Sequence, residues 1–149
     1  MKKFHHVTIN VFIKPEDDAL YVKEVFFDLF PFNLEKNKVR VTETVADSFF
    51  DRKVIIIEVF VDKPRLVAEV MSRLRDCVTE SDRALLISQI DSRLDDDLYF
   101  FFRFDKKLLL EEGMYKVVDH GNCFHVKCSV AVYPKNRDKA KQALIDFLS

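Results

Sequence analysis

The chain has 149 residues, with 24 Lys plus Arg against 25 Asp plus Glu, so its formal net charge is -1. This length is typical of one domain with one core. A near-zero charge excludes strong long-range attraction to nucleic acid or anionic lipid, so any phosphate-binding surface must arise from local clustering of basic residues. The only glycines are Gly113 and Gly121, which excludes Walker-type and dinucleotide-binding loops, because those loops need several glycines.

The composition also indicates the compartment. No apolar run approaches the roughly 20 residues needed to span a bilayer, and the first residues pass directly into a strand pattern rather than into a signal-peptide core. Cys77, Cys123 and Cys128 are an odd number of cysteines in apolar contexts, which favours reduced thiols over a disulfide framework. We therefore expect a cytoplasmic protein that does not associate with membranes.

Hydrophobic periodicity predicts the elements of the first half of the chain. Apolar odd positions alternate with polar even positions from His5 to Ile13, as in a half-buried strand. Helical spacing follows Pro15 and ends near Pro31, since Pro is tolerated in a first helical turn and ends a helix that precedes it. The next elements are a strand at Lys38 to Val45, a polar and aromatic loop at Thr44 to Arg52, and a strand at Lys53 to Val61. We expect these two strands to form a hairpin.

The second half alternates between the two periods. Helices are expected after Lys63-Pro64 and after the capping residue Thr79. The elements that follow are an aromatic strand at Leu98 to Phe104, a short helix or turn at Lys106 to Glu112, strands at Met114 to Val118 and Phe124 to Tyr133, and a helix beyond Pro134. The last two strands are expected to form a second hairpin. The order predicts one α+β domain over residues 1–149, with an antiparallel or mixed sheet and helices packed against it.

Two groups of residues suggest catalysis or metal binding, and strand geometry argues against both. His120, Cys123, His125 and Cys128 are zinc-ligand types, but along a strand His125 and Cys128 point to opposite faces. We expect buried thiols and a surface histidine, with no metal and no cofactor. His6-Val7-Thr8 has the pattern of two-histidine phosphoesterases that split cyclic phosphates, but those enzymes need the motif twice. We expect a polar strand face and no catalytic residue.

Basic residues at the ends of the predicted elements are the candidate phosphate contacts. Alternation along the aromatic strand places Arg103 with Tyr99 and Phe101, away from the core. Phe49-Phe50 offers stacking for an unpaired base, or a hairpin tip that folds onto the core. Ordinary solubilising charges remain the alternative for the basic residues. The candidate set is Arg40, Arg52, Lys53, Arg103, Lys106 and Lys107.

Three segments of the chain resemble a family of small archaeal proteins described as predicted RNA-binding or exosome-associated proteins. They are His6-Val7-Thr8-Ile9-Asn10-Val11-Phe12, the stretch from Arg93-Leu94-Asp95 through Leu98-Tyr99-Phe100-Phe101-Phe102-Arg103-Phe104-Asp105-Lys106, and Val126-Lys127-Cys128-Ser129-Val130-Ala131-Val132-Tyr133. The resemblance covers nearly the whole chain. It implies a fold similar to that of the large-subunit ribosomal protein that binds the small ribosomal RNA, with helices packed on a sheet.

The resemblance and the residues together favour a non-catalytic RNA-binding protein. The implied partners are RNA and, through the resemblance, exosome or ribosomal proteins, as an accessory of exosome function or of ribosomal RNA processing; no DNA specificity is expected. Whether the RNA is structured or single-stranded stays open. The alternative is an interaction adaptor in an RNA-processing assembly that does not contact RNA, which would show a contiguous exposed apolar patch. A cyclic-phosphate phosphoesterase is the third and disfavoured interpretation.

Overall fold

The structure, a computed structural model, describes residues 2–47 and 52–149. The strands are β1 (Phe4–Ile13), β2 (Arg40–Asp47), β3 (Lys53–Val61), β4 (Tyr99–Asp105), β5 (Val117–Val118) and β6 (Cys123–Val130). The helices are α1 (Ala19–Phe27), α2 (Pro64–Cys77), α3 (Glu80–Ser88), α4 (Ile90–Arg93), α5 (Lys106–Glu112) and α6 (Arg137–Leu148). None of the helices in these two ranges has the length and apolar character that crossing a bilayer requires.

The strands form one six-stranded sheet in the order β2-β3-β1-β6-β4-β5, and every pair of neighbours is antiparallel. The helices pack against it, which confirms the predicted α+β class with an antiparallel sheet. The N-terminal strand β1 lies inside the sheet, between β3 and β6. The aromatic strand β4 lies between β6 and the two-residue edge strand β5, so it is off-centre in the sheet.

Alternation along each strand separates the sheet into a covered face and an uncovered one. Val7, Ile9 and Val11 of β1 are fully buried, and so are the residues across from them in β3 and β6. Helix α2 packs along β1 and buries an apolar stripe of five residues, Leu66, Val67, Val70, Met71 and Leu74. The core therefore lies between the helices and one face of the sheet, and burial of these side chains is the main source of stability.

A side-chain cap begins α3, and a buried carboxylate of the same helix anchors the edge strand β5. The Thr79 hydroxyl accepts a hydrogen bond from the Asp82 amide at 3.1 Å, as the sequence predicted for the start of α3. The buried Asp82 carboxylate then accepts from the Val117 amide at 3.0 Å and from Lys116 Nζ at 3.1 Å. Because Val117 lies in β5, this one carboxylate holds the short edge strand against α3.

The structure corrects two sequence-based predictions. The prediction that the last two strands form a second hairpin is wrong, because β5 and β6 do not pair with each other. Strand β4 lies between them and pairs with both. The loop prediction for Thr44 to Arg52 is wrong over 44–47, since β2 continues to Asp47, and residues 48–51 lie outside the described part of the chain. Phe49 and Phe50, the proposed stacking pair, lie outside the described residues.

Candidate nucleic-acid interface

The face of the sheet turned away from the helices, called the open face below, carries polar, basic and aromatic side chains. Cross-strand register aligns them into rows, because directly opposed residues of antiparallel strands point to the same side. One row joins Arg40 to Phe60, Phe60 to Thr8, Thr8 to Lys127 and Lys127 to Phe101. The row therefore crosses five strands and places a cation beside an aromatic ring near each end.

Aromatic rings and cations contact one another on and beside this row of the open face. The His6 ring lies 5.2 Å from the ring of Phe60 and 5.6 Å from that of Tyr99, centroid to centroid. Lys127 Nζ lies 4.3 Å from the centroid of Tyr99 and 5.7 Å from that of Phe101. We call these four rings, Phe60, His6, Tyr99 and Phe101, the aromatic row. Arg40 extends it onto the edge strand, with its guanidinium carbon 5.0 Å from the centroid of Phe60.

A second row on the open face is polar. It runs from Thr42 through Glu58, Asn10 and His125 to Arg103. His125 Nδ1 lies 3.0 Å from Asn10 Oδ1, and Arg103 donates to the Asp119 carbonyl at 2.7 Å. These groups offer both donors and acceptors beside the aromatic row, which is the combination that contacts base edges and phosphates.

The two histidines of the open face are biased toward their neutral forms. Burial, followed by electrostatic repulsion from His5 and Lys127, lowers the pKa of His6. Burial and the nearby Arg103 lower the pKa of His125. Burial disfavours an imidazolium, since it removes water from around the charge. Both rings therefore act as flat, uncharged surfaces at neutral pH and gain charge in acid.

Two of the six candidate basic residues lie on the open face. Arg40 and Arg103 project from β2 and β4 into its rows, and the predicted face of Arg103 is confirmed. Lys53 lies on the other side of the sheet by the alternation of β3, and its Nζ is 2.5 Å from Asp47. Arg52 forms an ion pair with Glu16. The structure therefore does not bring Arg52 and Lys53 together with Arg103.

Lys106 and Lys107, the remaining candidates, begin helix α5. Lys107 is exposed, whereas the Lys106 side chain is 1% exposed. Its Nζ donates to the Phe12 carbonyl at 2.7 Å and to Asp17 Oδ2 at 2.6 Å. Lys106 is therefore an internal ion-pair partner, and it has no surface with which to contact a phosphate.

Sequence reasoning missed the central cation of the interface, Lys127. The period-two signal was available, because Lys127 alternates with the buried Val126 and Cys128. What the sequence did not provide was the register that places it against Tyr99 and Phe101 of β4. That register depends on pairing between strands that are distant in the chain.

The structure also places the residues that the sequence raised, and disfavoured, as metal ligands or as a phosphoesterase motif. Cys128 is buried on the helix side, where burial strongly raises the pKa of its thiol, while His125 lies on the open face. Within residues 2–47 and 52–149 no cluster of His, Cys, Asp or Glu is arranged to hold a metal ion. His6 and Thr8 share the open face, and His125 lies two rows from His6, opposite Asn10.

The sequence is similar to that of proteins described as RNA-binding. The model of a family described as RNA binding matches residues 6–130. RNA-binding protein PAB1135 from Pyrococcus abyssi is 23% identical over 144 residues, which are 97% of this chain and 93% of that protein.

Solved structures show a similar fold. A protein from Archaeglobus fulgidus is 21% identical, with a TM-score of 0.81 over 97% of this chain and 99% of that one. A protein from Methanothermobacter thermautotrophicus is 20% identical, with a TM-score of 0.78 over 99% of both chains. Both are described as DUF54 proteins. At these identities the likeness concerns the fold alone.

Proposed function

We propose, since the chain belongs to the RNA-binding family matched at residues 6–130, that it binds single-stranded RNA across the open face without catalysing a reaction on it. The observation that carries this proposal is the aromatic row with cations among its rings. Single-stranded RNA is commonly recognised by unpaired bases that stack on the aromatic side chains of a sheet. The relative from Pyrococcus abyssi, itself named an RNA-binding protein, supports RNA as the partner.

The rings favour unpaired bases over a duplex. In an A-form duplex the faces of the bases are stacked on one another, so exposed rings find no partner except at the ends. Phe101 is 37% exposed, and Phe12, which lies against His125 at 5.9 Å, is 41% exposed. Among residues 2–47 and 52–149 the helices lie on the opposite side of the sheet, so a stacked base would remove the exposed apolar area of these rings from water.

The cations of the open face supply the phosphate contacts. Arg40, Lys127 and Arg103 lie on three different strands of the open face. With a net charge of -1 on the chain, attraction at a distance is weak, so we expect modest affinity. Each phosphate neutralised on a single strand contributes about 0.7 to the slope of log affinity against log salt concentration. Three contacts give a slope of about -2.

A role as an accessory of the exosome or of ribosomal RNA processing in the cytoplasm is part of the same proposal. Its support is the sequence resemblance to archaeal proteins described as predicted RNA-binding or exosome-associated proteins. Affinity capture with the intact chain, followed by identification of the bound proteins, tests it. Recovery of exosome or ribosomal proteins after nuclease treatment is the expected result, and their absence would contradict this part of the proposal.

RNA binding itself is tested by fluorescence anisotropy with a labelled single-stranded RNA and a duplex of the same sequence, at two salt concentrations. We compare the wild type with Lys127→Ala and with Arg65→Ala. Arg65 is an exposed cation of α2, the helix that packs on the covered face of the sheet, and it is paired with Glu69. Both variants lose one positive charge, so a general effect of net charge would weaken binding by both.

The proposal expects the single strand to bind more tightly than the duplex and Lys127→Ala to weaken that binding, while Arg65→Ala does not. Equal weakening by the two variants would show a general charge effect and would contradict a site on the open face. No binding at low salt would contradict direct RNA contact and would favour the adaptor function, for which the exposed apolar residues of α1, Leu20 and Phe27, are a starting point.

A further inference from the structure

A cavity of about 230 Å³ lies at the corner of the sheet where β2 begins and β3 ends. We call it the corner cavity. Lys38, Arg40, Asp62 and Lys63 are its charged lining residues, and Phe60 is its aromatic one. These residues come from the loop before β2, from both strands of the hairpin and from the turn into α2.

The charge of the corner cavity differs from that of the whole chain. Lys38, Arg40 and Lys63 contribute three positive charges and Asp62 contributes one negative charge, whereas the chain carries a net charge of -1. A concave site lined mainly by cations concentrates positive potential, since its low-dielectric walls focus the field. The chemistry of the lining therefore selects an anion.

Local backbone structure holds these cations in place. The loop that precedes β2 is closed by hydrogen bonds from the Lys38 amide to the Glu35 carbonyl and from the Val39 amide to the Leu34 carbonyl, both 3.0 Å. Lys38 itself has a φ of 54°, a left-handed conformation that is uncommon for a residue other than glycine. Lys63 Nζ donates to the Asn37 carbonyl, which ties the turn before α2 to the same loop.

The corner cavity is continuous with the open face. Phe60 lines the cavity and is also the first ring of the aromatic row. Arg40 lines it too, with its guanidinium beside the Phe60 ring. Because β2 is the edge strand of the sheet, an RNA strand that crosses the open face along this row arrives at the corner where the sheet stops.

We propose that the corner cavity binds the terminal phosphate of the single-stranded RNA, so that the preferred substrate class is RNA that ends in a phosphate monoester. This inference rests on the proposed function. An internal phosphodiester carries one negative charge, whereas a phosphate monoester carries about 1.5 to 2 at neutral pH. The larger charge matches a lining with three cations and one acid. Contacts of charged donors with a phosphate are short and strong, and those of the guanidinium are frequently bidentate.

The test uses one single-stranded RNA sequence in three forms: with a 5′-phosphate, with a 3′-phosphate, and with hydroxyls at both ends. Each competes with a labelled RNA for the wild type and for the double variant Lys38→Gly with Lys63→Met. Glycine suits the positive φ at position 38, and methionine keeps most of the length of the lysine side chain without its charge. Lys36→Ala is the matched control, because Lys36 is exposed in the same loop but does not line the cavity.

We expect one of the two phosphorylated forms to bind about tenfold more tightly than the hydroxyl form, since a charge-assisted contact contributes on this scale. The double variant loses this preference and keeps binding to the hydroxyl form, while Lys36→Ala keeps both. The phosphorylated end that binds more tightly also assigns the polarity of the strand on the open face.

Equal binding of the three forms by the wild type would overturn the inference and would leave RNA binding by the open face intact. A preference that survives in the double variant would also overturn it, because the phosphate would then be bound elsewhere. Absence of binding by every form would contradict the proposed function as well. Circular dichroism of the double variant confirms that a lost preference does not arise from unfolding.

Discussion

The pair formed by Lys106 and Asp17 predicts an asymmetric response to mutation. Lys106 is 1% exposed and the Asp17 side chain is 18% exposed, and their charged atoms are 2.6 Å apart. Replacing Asp17 by Ala leaves a buried ammonium group whose remaining acceptor is the Phe12 carbonyl. Replacing Lys106 by Met removes the charge and keeps most of the length of the aliphatic side chain. Asp17 then keeps the hydrogen bond that it accepts from the Lys14 amide at 2.8 Å.

The expected magnitudes follow from this difference. Removing one partner of a buried ion pair typically costs about 3–5 kcal/mol, because the other charge stays buried without compensation. We expect that cost for Asp17→Ala. For Lys106→Met we expect about 1.5–3 kcal/mol, the range for a lost hydrogen bond to a charged group, because Asp17 keeps both a donor and some water. The total free energy of unfolding of a domain is about 5–15 kcal/mol.

Urea denaturation followed by circular dichroism measures both variants, and Glu69→Ala is the control. Glu69 pairs with Arg65 on the surface of α2 at 3.0 Å, and such exposed pairs contribute about 0.3–0.5 kcal/mol. A cost for Asp17→Ala no greater than that for Glu69→Ala would refute the reasoning, and so would a larger cost for Lys106→Met than for Asp17→Ala.

The same pair predicts a dependence on pH. Burial tends to raise the pKa of Asp17, but the hydrogen bonds from Lys106 and from the Lys14 amide, together with the charge of Lys106, hold it below its ordinary value. Because the pKa in the folded state is lower than in the unfolded state, the stabilisation is fully present above about pH 4 and is lost as the pH falls through the folded value. The difference in stability between the wild type and Asp17→Ala should therefore narrow below about pH 4.

Three further predictions concern the open face and the edge of the sheet. Phe101→Ala should weaken binding of single-stranded RNA by about 1–3 kcal/mol, or roughly 5- to 150-fold, whereas Phe27→Ala, which removes an equally exposed ring (37%) from α1, should leave anisotropy titrations unchanged. The pKa of His6 is lowered in the free protein, and a phosphate beside the ring would favour its protonated form, so affinity should increase as the pH falls from about 7.5 to about 5.5, and His6→Phe should reduce that increase. Asp82→Ala removes the acceptor of the Val117 amide, which should cost about 1–3 kcal/mol and speed hydrogen exchange at Val117; unchanged exchange would contradict this role.

Elements with a strong local signal could be predicted from the sequence. The near-continuous apolar run predicted β3 at Lys53–Val61, and Pro64 followed by apolar residues at helical spacing predicted the start of α2. The pairing of β5 could not be predicted in the same way. A turn between two short strands favours a hairpin, but β5 pairs instead with β4, and Asp82 of a distant helix holds it there.

For the candidate site too, properties that depend on neighbouring residues could be predicted from the sequence, whereas contacts between distant residues could not. Period-two alternation was enough to place Arg103 on the outer face of its strand, since that property depends on neighbouring residues alone. The burial of Lys106 was not predictable, because its partner Asp17 lies 89 positions earlier in the chain. The contact of Lys127 with Tyr99 likewise requires the register between β6 and β4.

The central claim is that RNA occupies the open face of the sheet. Nuclear magnetic resonance of the isotope-labelled chain, titrated with a short single-stranded RNA, tests it most directly, because each residue reports its own change. The account predicts the largest chemical-shift changes at residues of the aromatic row and their neighbours, such as Thr8, Phe60, Phe101 and Lys127. Changes confined to the exposed surfaces of the helices, such as α1 or α2, would contradict it.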